Sequence, residues 1–216
     1  MKLKHIYAAI YRPFFHKFRS ERLRRMCEIC GVSESTRILD VGGSYYTFWV
    51  YCPIKPRVTL LNPKASWLEC DDPRFSTMIG DGRSLPFENG SFDIVISNSV
   101  IEHLGEWPQQ KVFAEEIRRV GRSYWVQTPN RKFFIEPHFL APLIHFLPKK
   151  YRKRLARYFT VWGLTIKPTP AQVDEMVEEI SLLSKPEVEQ LFPDARIICE
   201  KWCGMTKSII ACRLQS

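Results

Sequence analysis

Arg37-Ile-Leu-Asp-Val-Gly-Gly-Ser44 is the stretch on which the fold turns. Its apolar residues make a short buried strand, and the glycines after it let the backbone bend and come close to a ligand. Working outward, Arg57-Val-Thr-Leu-Leu-Asn62 is a second strand, stopped by Pro63. Phe92-Asp-Ile-Val-Ile-Ser97 is a third, and Ser123-Tyr-Trp-Val-Gln-Thr128 a fourth, stopped by Pro129. The spacing of Val112, Phe113, Ile117 and Val120 predicts an amphipathic helix over residues 109–120, and apolar spacing from Lys17 to Cys30 predicts another, ended by Gly31. Arg196 to Trp202 and Lys207 to Arg213 form a closing strand pair, and Ser184-Lys-Pro-Glu187 reads as a helix start with a capping-box glutamate. Continuous apolar strands alternating with helices imply a mostly parallel sheet covered on both faces, with an antiparallel terminal strand.

The 216 residues suit a single domain in which 45% hydrophobic and 25% charged residues leave room for a full core. Residues 131–183 interrupt the alternation with an aromatic, proline-rich stretch and a basic run, and read as an inserted cap. Seven cysteines without framework spacing suggest a reducing compartment; Cys27-Glu-Ile-Cys30 lacks a partner half-site and reads as a packed helix face, so no metal is expected. No apolar run is long enough to span a bilayer, and the N-terminal stretch is a poor secretion signal. A cytoplasmic protein, with the inner face of the membrane as a further location, is expected.

The net charge of +9 is local. Residues 1–31 carry eight basic and two acidic side chains and residues 149–158 six basic and none acidic, which leaves the remainder at −3. The N-terminal segment, with Tyr7, Tyr11, Phe14, Phe15 and Phe18 among its cations, reads either as a helical lid over a ligand or as a surface for an anionic membrane.

In an open parallel sheet, ligands bind outside the carboxyl ends of the strands. Asp40-Val-Gly-Gly43 ends the first strand and would lead into a helix N-terminus suited to an anion; Asn62 ends the second, 22 residues after Asp40. Gly80-Asp-Gly-Arg-Ser-Leu-Pro-Phe87 comes next, and then Ser91-Phe-Asp-Ile-Val-Ile-Ser-Asn-Ser-Val-Ile-Glu-His-Leu104. In this order the four segments resemble the class I S-adenosylmethionine-dependent methyltransferases, especially the small type-11-like branch, over residues 36 to 130.

The resemblance implies a Rossmann-like doubly wound sheet and S-adenosylmethionine as cofactor. It places Asp40, Gly42 and Gly43 at the methionine moiety, Asn62 at the ribose, Asp81 and Gly82 at the adenine and Asn98 beside the methionine end. Two positions depart from the family pattern: Gly42-Gly43-Ser44 stands for Gly-x-Gly, and Asn62 stands for an acid.

A sulfonium methyl mainly requires alignment and exclusion of water, and a base helps where the acceptor is a hydroxyl or amine. His138, Glu136 and His103 are the candidates, with His138 favoured. The expected acceptor is a small molecule, a sugar hydroxyl or a lipid-linked glycan or lipid precursor. An RNA methyltransferase using the basic patches and a cofactor-binding scaffold without turnover are the alternatives.

Overall fold

A computed structural model describes residues 19–215. The sequence lays down β1 (Arg37–Val41), β2 (Arg57–Asn62), β3 (Phe75–Ile79), β4 (Phe92–Asn98) and β5 (Gly121–Pro129). A short hairpin, β6 (Ile135–Glu136) and β7 (Ala141–Pro142), stands apart, and β8 (Arg196–Trp202) and β9 (Met205–Arg213) close the chain. All but the hairpin form one seven-stranded sheet in the spatial order β3-β2-β1-β4-β5-β9-β8. The first five are parallel, and β9 joins β5 antiparallel with β8 outside it. The order reverses between β1 and β4, so the crevice used by ligands in such sheets opens above Asp40 and Asn98.

Two segments differ from expectation. β3 is an additional edge strand; its Phe-Ser-Thr-Met-Ile sequence is half-exposed and carries no continuous apolar run to announce it. The glycine loop leads not into an α-helix but into two single turns of 3-10 helix, Tyr45–Thr47 and Trp49–Tyr51. The run Tyr45-Tyr-Thr-Phe-Trp-Val-Tyr51 is aromatic and β-branched, which disfavours α-helix, and Pro53 prevents its extension. Ligand recognition here therefore falls to loop backbone rather than to a helix dipole.

Helices cover both faces. On one, α1, described over residues 19–29, buries Leu23, Met26 and Cys27 against Ile38, Ile94, Ile96 and Trp125. Gly31, in the left-handed region at φ +60°, ends α1 as the sequence predicts. Cys27 is buried, and all the cysteines are free. On the other face, α2 (Trp107–Val120) and α6 (Lys185–Leu191) bury Phe113, Ile117, Val188 and Leu191 against Leu39, Val95, Tyr124 and Val126. Glu187 accepts from the backbone N–H of Ser184 at 2.7 Å at the start of α6.

The insertion opens with the β6–β7 hairpin and continues through α3 (Lys149–Phe159), α4 (Val161–Ile166) and α5 (Pro170–Glu179). It has a small core of its own around Phe139, Ile144, Ala156, Val173 and Val177. The N-terminal lid reading concerns residues that lie, up to Phe18, outside the described ones.

Candidate active site

Strand β1 delivers Asp40 to the sheet's carboxyl edge, fully buried. Its Oδ2 accepts from Nε1 of Trp49 at 2.7 Å, while Oδ1 has no partner among the described residues. Burial raises this carboxyl to about 7, and the Trp49 bond offsets part of that rise. The loop folds back over it. Gly42 sits at φ +83°, where a Cβ would lie 2.5 Å from Val100, and a Cβ on Gly43 would lie 1.9 Å from Oδ2 of Asp40. Only glycine lets this chain pass at both positions.

Asn62, at the end of β2, is buried and fastens the loop from the other side. Its Nδ2 donates to the carbonyls of Gly42 at 3.0 Å and Gly43 at 3.3 Å, and its Oδ1 accepts from the backbone N–H of Lys64 at 3.0 Å. This gives the departure from an acid a physical reason: a carboxylate would face two carbonyl oxygens with nothing to donate.

Past β3, Asp81 is half-exposed and grips Arg83. It accepts from the guanidinium, including an Nη2 contact of 2.5 Å, and from the Arg83 backbone N–H at 2.9 Å; Arg83 in turn donates to Gln109 at 2.8 Å. The Arg83 bond holds the Asp81 carboxyl below its usual range. Gly42, Leu61, Asp81, Gly82, Val100 and His103 line a cavity of about 260 Å³. A larger hollow of about 520 Å³ lies by Arg37, Arg57 and Phe92, at the amino ends of their strands and away from these loops.

Asn98 ends β4 inside a buried polar network. Its Oδ1 accepts from Arg22 at 2.7 Å, and the same guanidinium donates to Gln127 at 2.9 Å and forms a two-bond pair with Glu200 at 2.8 and 2.6 Å. Arg22 thus ties α1 to β4, β5 and β8.

The second polar centre stands where β4 and β5 meet the cap. Glu102, wholly buried in a short 3-10 turn, accepts from Thr128 Oγ1 at 3.0 Å through Oε2, and its Oε1 has no hydrogen-bond partner among the described residues. His138 Nε2 lies 3.9 Å from that Oε1. Its Nδ1 is 2.6 Å from Oε1 of Glu136, a buried carboxylate whose other oxygen accepts from the backbone N–H of Phe139 at 2.6 Å. The His103 ring stands edge-on to His138 with centroids 4.7 Å apart, and its Nδ1 lies 2.8 Å from Glu179 on α5. Burial works against charge on His138; the Glu136 bond, with the charges of Glu136, Glu102 and Glu179, outweighs it and raises the imidazole's pKa.

The structure therefore brings His103, Glu136 and His138 together and places His103 in the wall of the cavity shared with Gly42, Asp81 and Gly82. Asn62 and Asn98 stand at the same edge with their side chains committed to the protein. Sequence reasoning missed Glu102, Thr128, Trp49 and Arg22 as members of these networks. Two left a readable trace: Glu102 is an acid between Ile101 and Leu104, and Arg22 falls on the buried face of α1, one turn before Met26. Trp49 and Thr128 left none.

A family model described as "Methyltransferase domain" matches residues 30–123. No curated protein matches the chain. Among solved structures it is similar to an S-adenosylmethionine-dependent methyltransferase from Aquifex aeolicus (12% identity, TM-score 0.50, covering 88% of this chain and 87% of that one). It is also similar to a Haloferax volcanii complex containing the Trm112 methyltransferase activator (16%, 0.54, 92% and 77%). A third is a Haemonchus contortus phosphoethanolamine N-methyltransferase bound to phosphomonomethylethanolamine and S-adenosylhomocysteine (13%, 0.56, 83% and 38%). The chain spans well under two thirds of that last protein's length. At these identities the likeness shows the fold.

The residues present fit the cofactor: an acidic oxygen on Asp40, without a partner among the described residues, for an ammonium, two glycines that a Cβ would obstruct, and a cavity running on to Asp81. Sheet order, glycine loop and matched family model agree, and residues 30–123 form a methyltransferase domain of the class I family, whose cofactor is S-adenosylmethionine.

Proposed function

We propose that the chain methylates a hydroxyl of a small-molecule acceptor, a sugar or lipid-linked precursor, with His138 as the base. The observation that carries this reading is the Glu136–His138 pair, 2.6 Å apart, on the cap side of a cavity wall that includes His103. S-adenosylmethionine supplies the methyl, which joins the acceptor oxygen as its bond to sulfur breaks and leaves that electron pair on sulfur. Glu136 holds Nδ1 of the imidazole, and Nε2, which faces Oε1 of Glu102 at 3.9 Å, takes the hydroxyl proton. Asp40 holds the cofactor's ammonium, Asp81 and Gly82 its adenine, and the Asn62-fastened loop passes beside the ribose and methionine.

The cap supports a lipid-linked acceptor at an anionic membrane surface. On α3, Lys149 and Lys153 pair with Glu178 and Asp174 of α5. Lys150, Tyr151, Arg154 and Tyr158 lie at helical spacing on its exposed side, next to Phe159 at 73% exposure. Basic and aromatic side chains in one stripe suit a headgroup layer. No helix among the described residues is long and apolar enough to cross a membrane.

The test is methyl-labelled cofactor offered with sugar, lipid-linked sugar and RNA acceptors, with and without anionic vesicles. Base-stable ether label in the sugar-containing acceptor, increased by vesicles, is expected. Label confined to RNA, lost steeply with salt, would overturn the reading.

A further inference from the structure

Glu102, His103 and His138 each offer a ligand atom, and these atoms all lie within 4.8 Å of one another. We propose that the three side chains bind a first-row divalent cation of the zinc type, which holds and acidifies the acceptor hydroxyl. The inference rests on the proposed function, in which the acceptor oxygen sits over this cluster.

The strongest sign is the Glu102 carboxylate. It is completely buried, one oxygen is satisfied by Thr128, and the other has no hydrogen-bond partner among the described residues and points toward His138. Burying such an oxygen without a partner is costly, and a cation would supply one. The 3.9 Å between it and Nε2 of His138 suits a shared ion, since two ligands each at about 2.1 Å stand at most about 4.2 Å apart.

Both imidazoles are also prepared as ligands. Nδ1 of His138 is held by Glu136 and Nδ1 of His103 by Glu179, which leaves each ring its Nε2. A carboxylate behind a ligating histidine fixes its orientation and raises its basicity. Two imidazoles and one carboxylate suit zinc or iron better than magnesium or calcium, and three protein ligands leave a position open for substrate. An oxygen bound there is acidified strongly; zinc takes bound water from 15.7 to about 7. With the cation bound, His138 serves as a ligand, the hydroxyl proton passes to solvent, and the oxygen's electron pair attacks the methyl.

The test uses the full chain after chelator treatment, titrated with Zn²⁺ by calorimetry and with Co²⁺ by visible absorption. One saturable site is expected, with a Co²⁺ spectrum showing nitrogen ligands. Glu102→Gln and His103→Gln should each weaken binding at least tenfold. His103 is partly exposed, so its variant keeps the core intact if Glu102→Gln fails to fold. Methyl transfer should fall on chelation and return with Zn²⁺. Absence of saturable binding, or binding unchanged in both variants, overturns the proposal. Transfer undiminished by chelator with no cation bound also overturns it, while leaving His138 as the base. Saturable binding abolished by His103→Gln upholds the cation site even if no hydroxyl acceptor is methylated, and that result would sink the acceptor reading alone.

Discussion

The cofactor edge and the cap edge of this sheet are built in opposite ways. At the cofactor edge three polar residues stand at or just past strand ends and have a partner near in sequence, Asp40 with Trp49, Asn62 with Lys64 and Asp81 with Arg83, while Asn62 also reaches back to Gly42 and Gly43 and Asn98 is held by Arg22. At the cap edge, side chains hold one another across the chain: Glu102 with Thr128 and His138, His103 with Glu179. The first arrangement depends little on the later parts of the chain. The second exists only once β5, the hairpin and α5 are docked, so on the proposed function the insertion sets the acceptor chemistry while the cofactor site stays fixed.

The largest expected effect lies at the cap edge. His138→Ala is expected to lower kcat by roughly 10²–10⁴-fold, the usual contribution of a placed acid or base, with cofactor affinity unchanged. Calorimetry with S-adenosylhomocysteine beside a labelled-methyl assay separates the two. Loss of cofactor binding in this variant would erase the proposed division between the edges.

Next comes the Arg22 network, which joins distant elements on the sheet's α1 face. Arg22 and Glu200 are buried partners, and breaking such a pair leaves an uncompensated charge. Arg22→Ala is expected to cost about 3–5 kcal/mol in urea unfolding. A loss below about 1 kcal/mol would show that water enters and solvates Glu200.

The same division governs how much the sequence reveals. Asp40, Gly42, Gly43, Asp81 and Gly82 are readable because strand ends and glycines encode position locally. The sheet strands other than β3 are visible too, as apolar runs or as the closing pair. β3 stays hidden because an edge strand with three exposed positions out of five has no periodic signature. Glu102 stands within the Val-Ile-Glu-His phrase, yet its partners lie 26 and 36 residues onward, and no local pattern links them. The absence of a helix after Gly43 has a local trace in the aromatic and β-branched run Tyr45–Tyr51 and in Pro53, whereas the packing of Phe48 and Trp49 against α1 and β1 has none.

The cofactor edge has its own pH signature. Asp40 is raised to about 7 by burial, and in its proposed role its ionised form binds the ammonium of S-adenosylmethionine, so affinity should fall about tenfold at pH 6 relative to its plateau above pH 8. The folded value lies above the ordinary 3.8, so Asp40's contribution to stability without cofactor is fully present below 3.8 and is lost as pH rises from there through about 7. Asp40→Asn should flatten both profiles. An affinity profile that stays steep in this variant would assign the ammonium to another group.

The smallest effect tests whether the cofactor edge is as independent as its geometry implies. Arg83 and Asp81 form an exposed pair, 39% and 46% accessible, and such pairs contribute about 0–1 kcal/mol. If Asp81 serves the adenine amino group, the guanidinium competes for the same oxygens, and Arg83→Ala should tighten cofactor binding by up to about fivefold. The side chain also donates to Gln109 on α2, so its removal loosens a surface contact without disturbing the buried face of that helix. Weaker binding in this variant would mean that Arg83 itself contacts the cofactor. The adenine end would then depend on a side-chain network, as the cap edge does, rather than on strand-end placement alone.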